Sequence, residues 1–148
     1  MLKKWKNKKL LKNEKGLTLV ELLAVIVILA IIAAIAVPAI GNIINKSKDR
    51  AILAEASNIL SGAKIAYIDG ACVDNSCSNT ELQPFVDGIV LQSGDKVDYN
   101  DTAKEWTITY SRFDDLKLDG SKTNLSGKSI TENNLNKNLT KAGVPTTP

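Results

Sequence analysis

The sequence predicts an α+β protein in which one long N-terminal helix is followed by a small antiparallel β-sheet. Three observations indicate this fold class. Residues 22–40 form a run of nineteen side chains without a charge or a polar group. An apolar pattern with the period of a helix then continues to about residue 68. After it, turn residues separate short segments of alternating polarity, which is typical of strands.

Residues 1–16 are strongly basic and precede the apolar run. They contain seven lysines against the single acid Glu14, a charge of +6, whereas the whole chain carries +3. The remaining residues are therefore slightly acidic, so bulk charge gives no support for a nucleic-acid partner, a question that stays open. Lysines before an apolar segment stay on the cytoplasmic side, which predicts that the chain beyond the segment lies outside.

Residues 17–40 are predicted to be a membrane-spanning helix, because a bilayer core requires roughly 20 apolar residues. Glu21 stands near the start of this segment. An ionised carboxylate among Leu, Val and Ile is costly unless it is paired, so Glu21 is a candidate functional residue. The alternative interpretation is that its side chain reaches the headgroup region at the helix end.

Residues 41–68 are predicted to extend the same helix in amphipathic form. Apolar residues recur at steps of four and three, and charged residues stand between them; the apolar positions are Ile52, Ala56, Ile59, Ala63 and Ala66. Asp69 and Gly70 are the expected end of the helix.

Residues 69–148 are predicted to form a small head outside the membrane. The clearest strand is residues 105–111, which should pair as a hairpin with residues 96–99, and residues 116–118 are a possible third strand. Residues 80–85 suggest a short helix capped by Thr80 with Gln83. From Gly120 onward the chain is rich in Asn, Ser, Lys and Thr, and much of this tail is expected to be mobile.

Cys72 and Cys77 both lie in the part predicted to be outside, where an even cysteine count indicates a disulfide. Closing so short a loop is worth roughly 2 kcal/mol in the loop-entropy model. Zinc is the alternative, but a structural zinc site requires four ligands, and the chain has two thiols and no histidine.

No residue set predicts catalysis. The chain lacks histidine, the commonest general base. Acids of the head match no calcium loop and are interpreted as solvated turn residues; they include Asp98, Asp101, Asp114, Asp115 and Asp119. Trp106 and Tyr110 are expected in the core or in cross-strand pairs. The sequence therefore indicates a protein that is not an enzyme, with no metal and no cofactor.

Residues 14–23 read EKGLTLVELL, and this segment resembles the cleavage and methylation signature of class III prepilins, the precursors of type IV pilins and pseudopilins. The resemblance implies that a prepilin peptidase cuts after Gly16 and commonly methylates the new terminus, Leu17. Glu21 then becomes the fifth residue and Pro38 the twenty-second, which are the positions of a glutamate and a proline in that family.

The resemblance also implies a function as a structural filament subunit. Glu21 would pair with the α-amino group of Leu17 on a neighbouring subunit, and unwinding near Pro38 would let the filament stretch. The implied partners are the prepilin peptidase, an assembly ATPase, an inner-membrane platform protein and further copies of the chain. The implied location is the membrane before assembly, with the N-terminus cytoplasmic, and a cell-surface filament afterwards.

Two other interpretations remain open. An ordinary signal peptide could end at Ala34-Ile35-Ala36 and release a secreted domain. Alternatively, the apolar segment could remain as an uncleaved anchor for an extracellular binding module. The three hypotheses predict different mature N-termini, at Leu17, Val37 or Met1.

Overall fold

A computed structural model describes residues 3–117 and 119–143, with side chains from residue 18 onward. Within these residues the α+β prediction is confirmed: a long helix precedes a four-stranded antiparallel sheet, and a helix follows the last strand. The elements are α1 Lys3–Ile68, β1 Ser76–Ser78, α2 Asn79–Leu82, β2 Lys96–Asn100, β3 Glu105–Thr109, β4 Ser129–Thr131 and α3 Glu132–Ala142. Short 3-10 helices cover Gln83–Phe85, Ser111–Asp115 and Asp119–Lys122.

The chain divides into two compact units, Met1–Asn42 and Ile43–Pro148. In the first unit, α1 is apolar on all sides over residues 22–40, and the large side chains there are exposed, between 50% at Val27 and 72% at Ile35. A helix of this kind is stable when lipid or other helices surround it. Among the described helices, α1 alone is long and apolar enough to cross a membrane.

The second unit is built on the predicted apolar stripe of α1. Ile52, Ala56, Ile59, Ala63 and Ala66 are all buried, which confirms the sequence pattern. Gly62 lies on the same helix, where a Cβ atom would be 2.7 Å from the backbone oxygen of Phe85. The absence of a side chain therefore lets the chain after α2 pass directly over α1.

The sheet has the strand order β1-β2-β3-β4, with every neighbouring pair antiparallel. One register row crosses all four strands and is buried, and it consists of Cys77, Val97, Ile108 and Ile130. The predicted hairpin is confirmed as β2 paired with β3, but β3 ends at Thr109, and Ser111 begins a 3-10 helix instead of ending the strand. Because side chains alternate along a strand, the buried row gives the sheet one inner face for the core.

The two edge strands repeat the same local design. Each has three residues, follows a tight turn and leads into a helix, with bridges joining Val73 to Ser76 and Ser126 to Ser129. The first leucine of each following helix, Leu82 or Leu135, is fully buried. Each edge is therefore held to the core by a buried residue within the strand and a leucine five residues later.

Two predicted elements of the head need correction, the third strand and the short helix. The possible third strand at residues 116–118 is not a strand at 116 and 117, and residue 118 lies outside the described part; Leu116 is buried instead after a 3-10 helix. The short helix begins earlier than expected, with Ser78 as its N-cap, and Glu81 Oε2 accepts a hydrogen bond from Ser78 N at 2.8 Å. Ser78 is thus the cap that the sequence assigned to Thr80.

The stretch after Gly120 contains β4 and α3, where the sequence indicated a mobile tail. Helix α3 buries Leu135, Asn138, Leu139 and Ala142, and it ends at Gly143 in a left-handed conformation. This set has helical spacing, but Asn138 occupies one of the buried positions, so the apolar periodicity was broken in the sequence. Residues 144–148 lie outside the described part.

Candidate functional site

The predicted cut between Gly16 and Leu17 falls within the backbone of α1. The side chains of both residues lie outside the described part. The helix continues from this point through Glu21 to Ile68. The predicted processing site and the predicted assembly acid therefore belong to one continuous helix, separated by about one turn at 3.6 residues per turn.

Glu21 is exposed between Val20 and Leu22, whose side chains are exposed by 66% and 64%. None of the cations whose side chains are described forms an ion pair with it. Apart from Thr18 one turn earlier, the described side chains next to it on the helix are apolar and cannot replace the hydration of a carboxylate. The side chain is therefore suited to bind a cation that another molecule brings to this surface.

Pro38 lies inside α1, with helical residues on both sides. A proline has no backbone N–H, so the carbonyl of Ala34 loses its usual hydrogen-bond donor. The helix is continuous here, but it lacks one of the bonds that hold successive turns together. Pro38 is the proline inside α1, so one backbone hydrogen bond of the helix is missing at this position.

A disulfide joins Cys72 to Cys77, as the sequence predicted, with a Cα–Cα distance of 4.6 Å. It encloses a turn in which Asp74 and Asn75 have positive φ, and it leads directly into β1. Asn75 then accepts a hydrogen bond from the hydroxyl of Tyr67 at 2.9 Å. The disulfide thus anchors the first edge strand close to the end of α1.

A cluster of three side chains joins α1 to the chain after β3, and no local pattern in the sequence indicates it. The hydroxyl of Tyr110 donates to Glu55 Oε2 at 2.9 Å, and Arg112 Nη1 donates to Glu55 Oε1 at 2.7 Å. Burial, together with the neighbouring carboxylate of Glu55, raises the pKa of Tyr110 to about 12. The arrangement is a neutral phenol and a guanidinium bound to one carboxylate.

Three of the head acids considered above for a calcium site are bound to other side chains of the head. Asp98 accepts from Ser76 at 2.6 Å, Asp114 pairs with Lys128 at 2.8 Å, and Asp101 accepts from Asn75. In the described part of the chain, no group of three His, Cys, Asp or Glu residues is placed to hold a metal ion. These acids connect turns and strands of the head through side-chain hydrogen bonds and an ion pair.

A second ion pair joins α1 to α3. Lys64 Nζ lies 2.5 Å from Glu132 Oε1, and both side chains are partly exposed. Pairs of this kind contribute roughly 0.2–1 kcal/mol. Glu132 is the first residue of α3, so its ion pair with Lys64 holds the start of α3 against α1.

Comparison with known protein families finds a match in the N-terminal part of the chain. A family model described as the prokaryotic N-terminal methylation motif matches residues 11–37. The match includes Gly16, Leu17 and Glu21, and it ends one residue before Pro38. No curated protein and no solved structure matches the chain.

Proposed function

We propose, from the premise that residues 11–37 carry the class III prepilin signature of type IV pilins and pseudopilins, that this chain is a structural subunit of a pilus-like filament. The observation that carries the proposal is the position of this motif in α1. It leads directly into an apolar helical surface that no part of the described chain covers. Such a surface requires either lipid or copies of the same helix.

Before assembly the subunit is a single-pass membrane protein with a cytoplasmic N-terminus. The seven lysines of residues 1–16 hold that end inside, and each contributes roughly 1 kcal/mol of attraction to an anionic membrane surface. The head with its disulfide lies outside, where disulfides form readily. Extraction of the helix from the membrane is therefore opposed until the leader is removed.

Cleavage after Gly16 removes the leader charge and creates a new cation. A free α-amino group takes up a proton to become an ammonium, and a neighbouring carboxylate favours that charged form. In the uncut chain the nitrogen of Leu17 belongs to a neutral peptide bond. Processing thus provides the partner that Glu21 lacks, on a neighbouring subunit, and couples proteolysis to assembly.

The energetic reason for this coupling is the cost of an unpaired acid within an apolar bundle. Removing one member of a buried ion pair costs about 3–5 kcal/mol. A subunit with an uncut leader would pay this cost at Glu21 in every contact. The prepilin peptidase is therefore the first partner of the chain, followed by an assembly ATPase and a membrane platform protein that lift processed subunits into the filament.

Pro38 gives the assembled filament a point at which its subunits can extend. The missing hydrogen bond to Ala34 makes this the easiest place for α1 to unwind. Local unwinding lengthens the backbone per residue, because an extended chain spans more than the 1.5 Å rise of a helix. The filament would then stretch under load without separating its subunits.

The mature N-terminus tests the proposal against its alternatives. Terminal peptides are identified by mass spectrometry in protein from the membrane and from sheared surface material of the producing cells. Protein beginning at Leu17 in a surface polymer supports the filament subunit. A start at Val37 in soluble protein indicates a signal peptide, and a start at Met1 indicates an anchor. A polymer that retains residues 1–16, or the absence of any polymer, contradicts the proposal.

A further inference from the structure

The chain contains four Asn-x-Ser/Thr tripeptides, the acceptor sequence for N-linked glycans. Their asparagines are Asn45, Asn100, Asn124 and Asn138. The tripeptide by itself is a weak signal. Transfer of a glycan also requires that the asparagine is exposed and that its backbone can fit into the active site of the transferase. The structure gives the four sites different environments and so distinguishes them.

Two of the four sites lie within helices. Asn45 belongs to α1 and Asn138 to α3, so their backbones are held in helical hydrogen bonding. Asn138 is also 1% exposed, and its amide Nδ2 donates to Ser121 O at 3.1 Å and to Thr123 O at 2.7 Å. An amide nitrogen that is buried and fully used as a donor cannot act as a nucleophile.

The third site, at Asn124, lies in a turn but is fixed by its neighbours. The next residue, Leu125, packs partly buried against the core. Ser126, the third residue of the tripeptide, exchanges backbone hydrogen bonds with Ser129 at 2.8 and 3.1 Å. Drawing this tripeptide into an active site would require the edge of β4 to open.

The site at Asn100 is neither helical nor buried, and its ties to the rest of the head lie at the surface: Asn100 pairs with Glu105 of β3, and Asp101 accepts a hydrogen bond from Asn75. Asn100 lies where β2 ends, and residues 100–104 are all exposed. Its Oδ1 accepts hydrogen bonds from Thr102 N at 3.0 Å and from Ala103 N at 2.9 Å. No described residue accepts a hydrogen bond from its Nδ2. The side chain therefore folds over the turn with its oxygen bound and its nitrogen free.

We propose that Asn100 is a glycosylation site that accepts a glycan from a lipid-diphosphate-linked sugar. In the transfer, Nδ2 attacks C1 of the sugar, and the new N–C1 bond replaces the C1–O bond to the diphosphate. The lipid diphosphate leaves with the bonding electron pair, and one amide proton passes to a base. The N–H groups of Thr102 and Ala103 stabilise the charge that develops on Oδ1 as Nδ2 loses its proton.

The proposal rests on the proposed function in one respect, because the head must lie on the outer side of the membrane to meet the transferase. A glycan here would be attached at the β2–β3 turn, and the described residues would leave it in solvent. It would give the subunit a hydrophilic, sugar-coated surface at that turn. It would alter neither the buried register row nor the disulfide.

Trypsin separates the three sites outside α1, so one digest tests them together. The sequence releases residues 97–104, 123–128 and 138–141 as different peptides. In full-length protein isolated from the producing cells, peptide 97–104 is expected to carry the glycan mass, and the other two are expected to be unmodified. Asn100→Gln and Thr102→Ala are expected to abolish the modification, whereas Thr102→Ser retains it.

The matched control is Ser126→Ala, which destroys the Asn124 tripeptide and should leave the glycan unchanged. An unmodified peptide 97–104 in wild-type protein, or a glycan found on either other peptide, overturns the proposal. The N-terminal peptide from the same digest keeps the two hypotheses separate. A Leu17 start without a glycan rejects this site alone, whereas a glycan on protein that starts at Val37 rejects the filament subunit alone.

Discussion

Tyr110 and Glu55 are joined by a hydrogen bond of 2.9 Å between the phenol hydroxyl and Oε2, although they are 55 residues apart in the chain. Glu55 belongs to α1, and Tyr110 follows β3 directly. Tyr110 is 1% exposed, so this bond forms at the edge of the core. The bond connects the β2–β3 hairpin to α1.

The first prediction concerns alkaline pH. Folding raises the pKa of Tyr110 from its ordinary value of 10.0 to about 12, first through burial and then through Glu55. The folded state therefore keeps this proton while the unfolded state loses it, and stability falls as pH rises from 10 towards 12. Below pH 10 the contribution is complete. Thermal unfolding of the full chain in detergent, measured from pH 9 to 11, should show the decline.

The matched variant is Tyr110→Phe, which keeps the ring and removes the titrating group. It is expected to lower stability at pH 8 by about 1 kcal/mol, the typical value of one hydrogen bond. Its stability should also decline less between pH 10 and 11 than that of the wild type. Parallel curves for the two proteins would show that Tyr110 is not the source of the alkaline effect.

The second prediction concerns the close approach at Gly62. In Gly62→Ala the new Cβ would be 2.7 Å from Phe85 O and 2.9 Å from Val86 Cγ2. Alanine favours a helix over glycine by roughly 1 kcal/mol, but the backbone oxygen cannot yield without moving the chain after α2. We expect a net loss of about 1–3 kcal/mol. The control is Gly120→Ala, where nothing lies within 4 Å, and its melting temperature should match that of the wild type.

The third prediction concerns the disulfide. Replacing both Cys72 and Cys77 by alanine should reduce stability by about 2 kcal/mol, because the reduced unfolded chain has more conformations. Wild-type protein treated with a reductant should melt near the temperature of the double variant. Intact mass with and without the reductant measures the thiol state. Two free thiols in protein isolated from cells would contradict this prediction.

The fourth prediction concerns Glu21. In Glu21→Ala the acid is removed without shortening the apolar run, so membrane insertion should be unchanged. Incorporation into filaments should be abolished or greatly reduced, because Leu17 of each processed subunit loses its partner. The measurement compares the subunit in sheared surface material with that in the membrane. Asp87→Ala, which removes an exposed acid from the head, is the control and should still be incorporated. A normal filament yield from Glu21→Ala would refute the pairing.

The fifth prediction concerns the cleavage site. Gly16→Arg should leave an uncut precursor that migrates more slowly on a gel and stays in the membrane fraction. The charge of the leader is then retained together with a neutral nitrogen at Leu17. Gly41→Ala is a suitable control, since a Cβ there meets nothing within 4 Å and the site lies beyond the motif. Efficient processing of Gly16→Arg would contradict the assigned site.

Local patterns in the sequence were sufficient for the parts of the fold whose contacts are local or repetitive. The stripe from Ile52 to Ala66 has helical spacing, and it is the buried face of α1. The β2–β3 hairpin joins segments only four residues apart, so its strands and its turn could be predicted together. The prepilin signature is a linear pattern, and the match over residues 11–37 covers the same positions.

The tertiary structure alone decided the edge strands, α3 and the cluster at Glu55. A strand of three residues has too few positions to show an alternation, and β1 and β4 form because β2 and β3 provide their hydrogen-bond partners. Asn138 is a polar residue in a buried helical position, where Ser121 and Thr123 bind its amide. These interactions join residues far apart in the chain, so they cannot be predicted from the spacing of residues within one segment. The sequence by itself determined the long helix, the basic segment at its start and its N-terminal methylation motif, because each depends on neighbours along the chain.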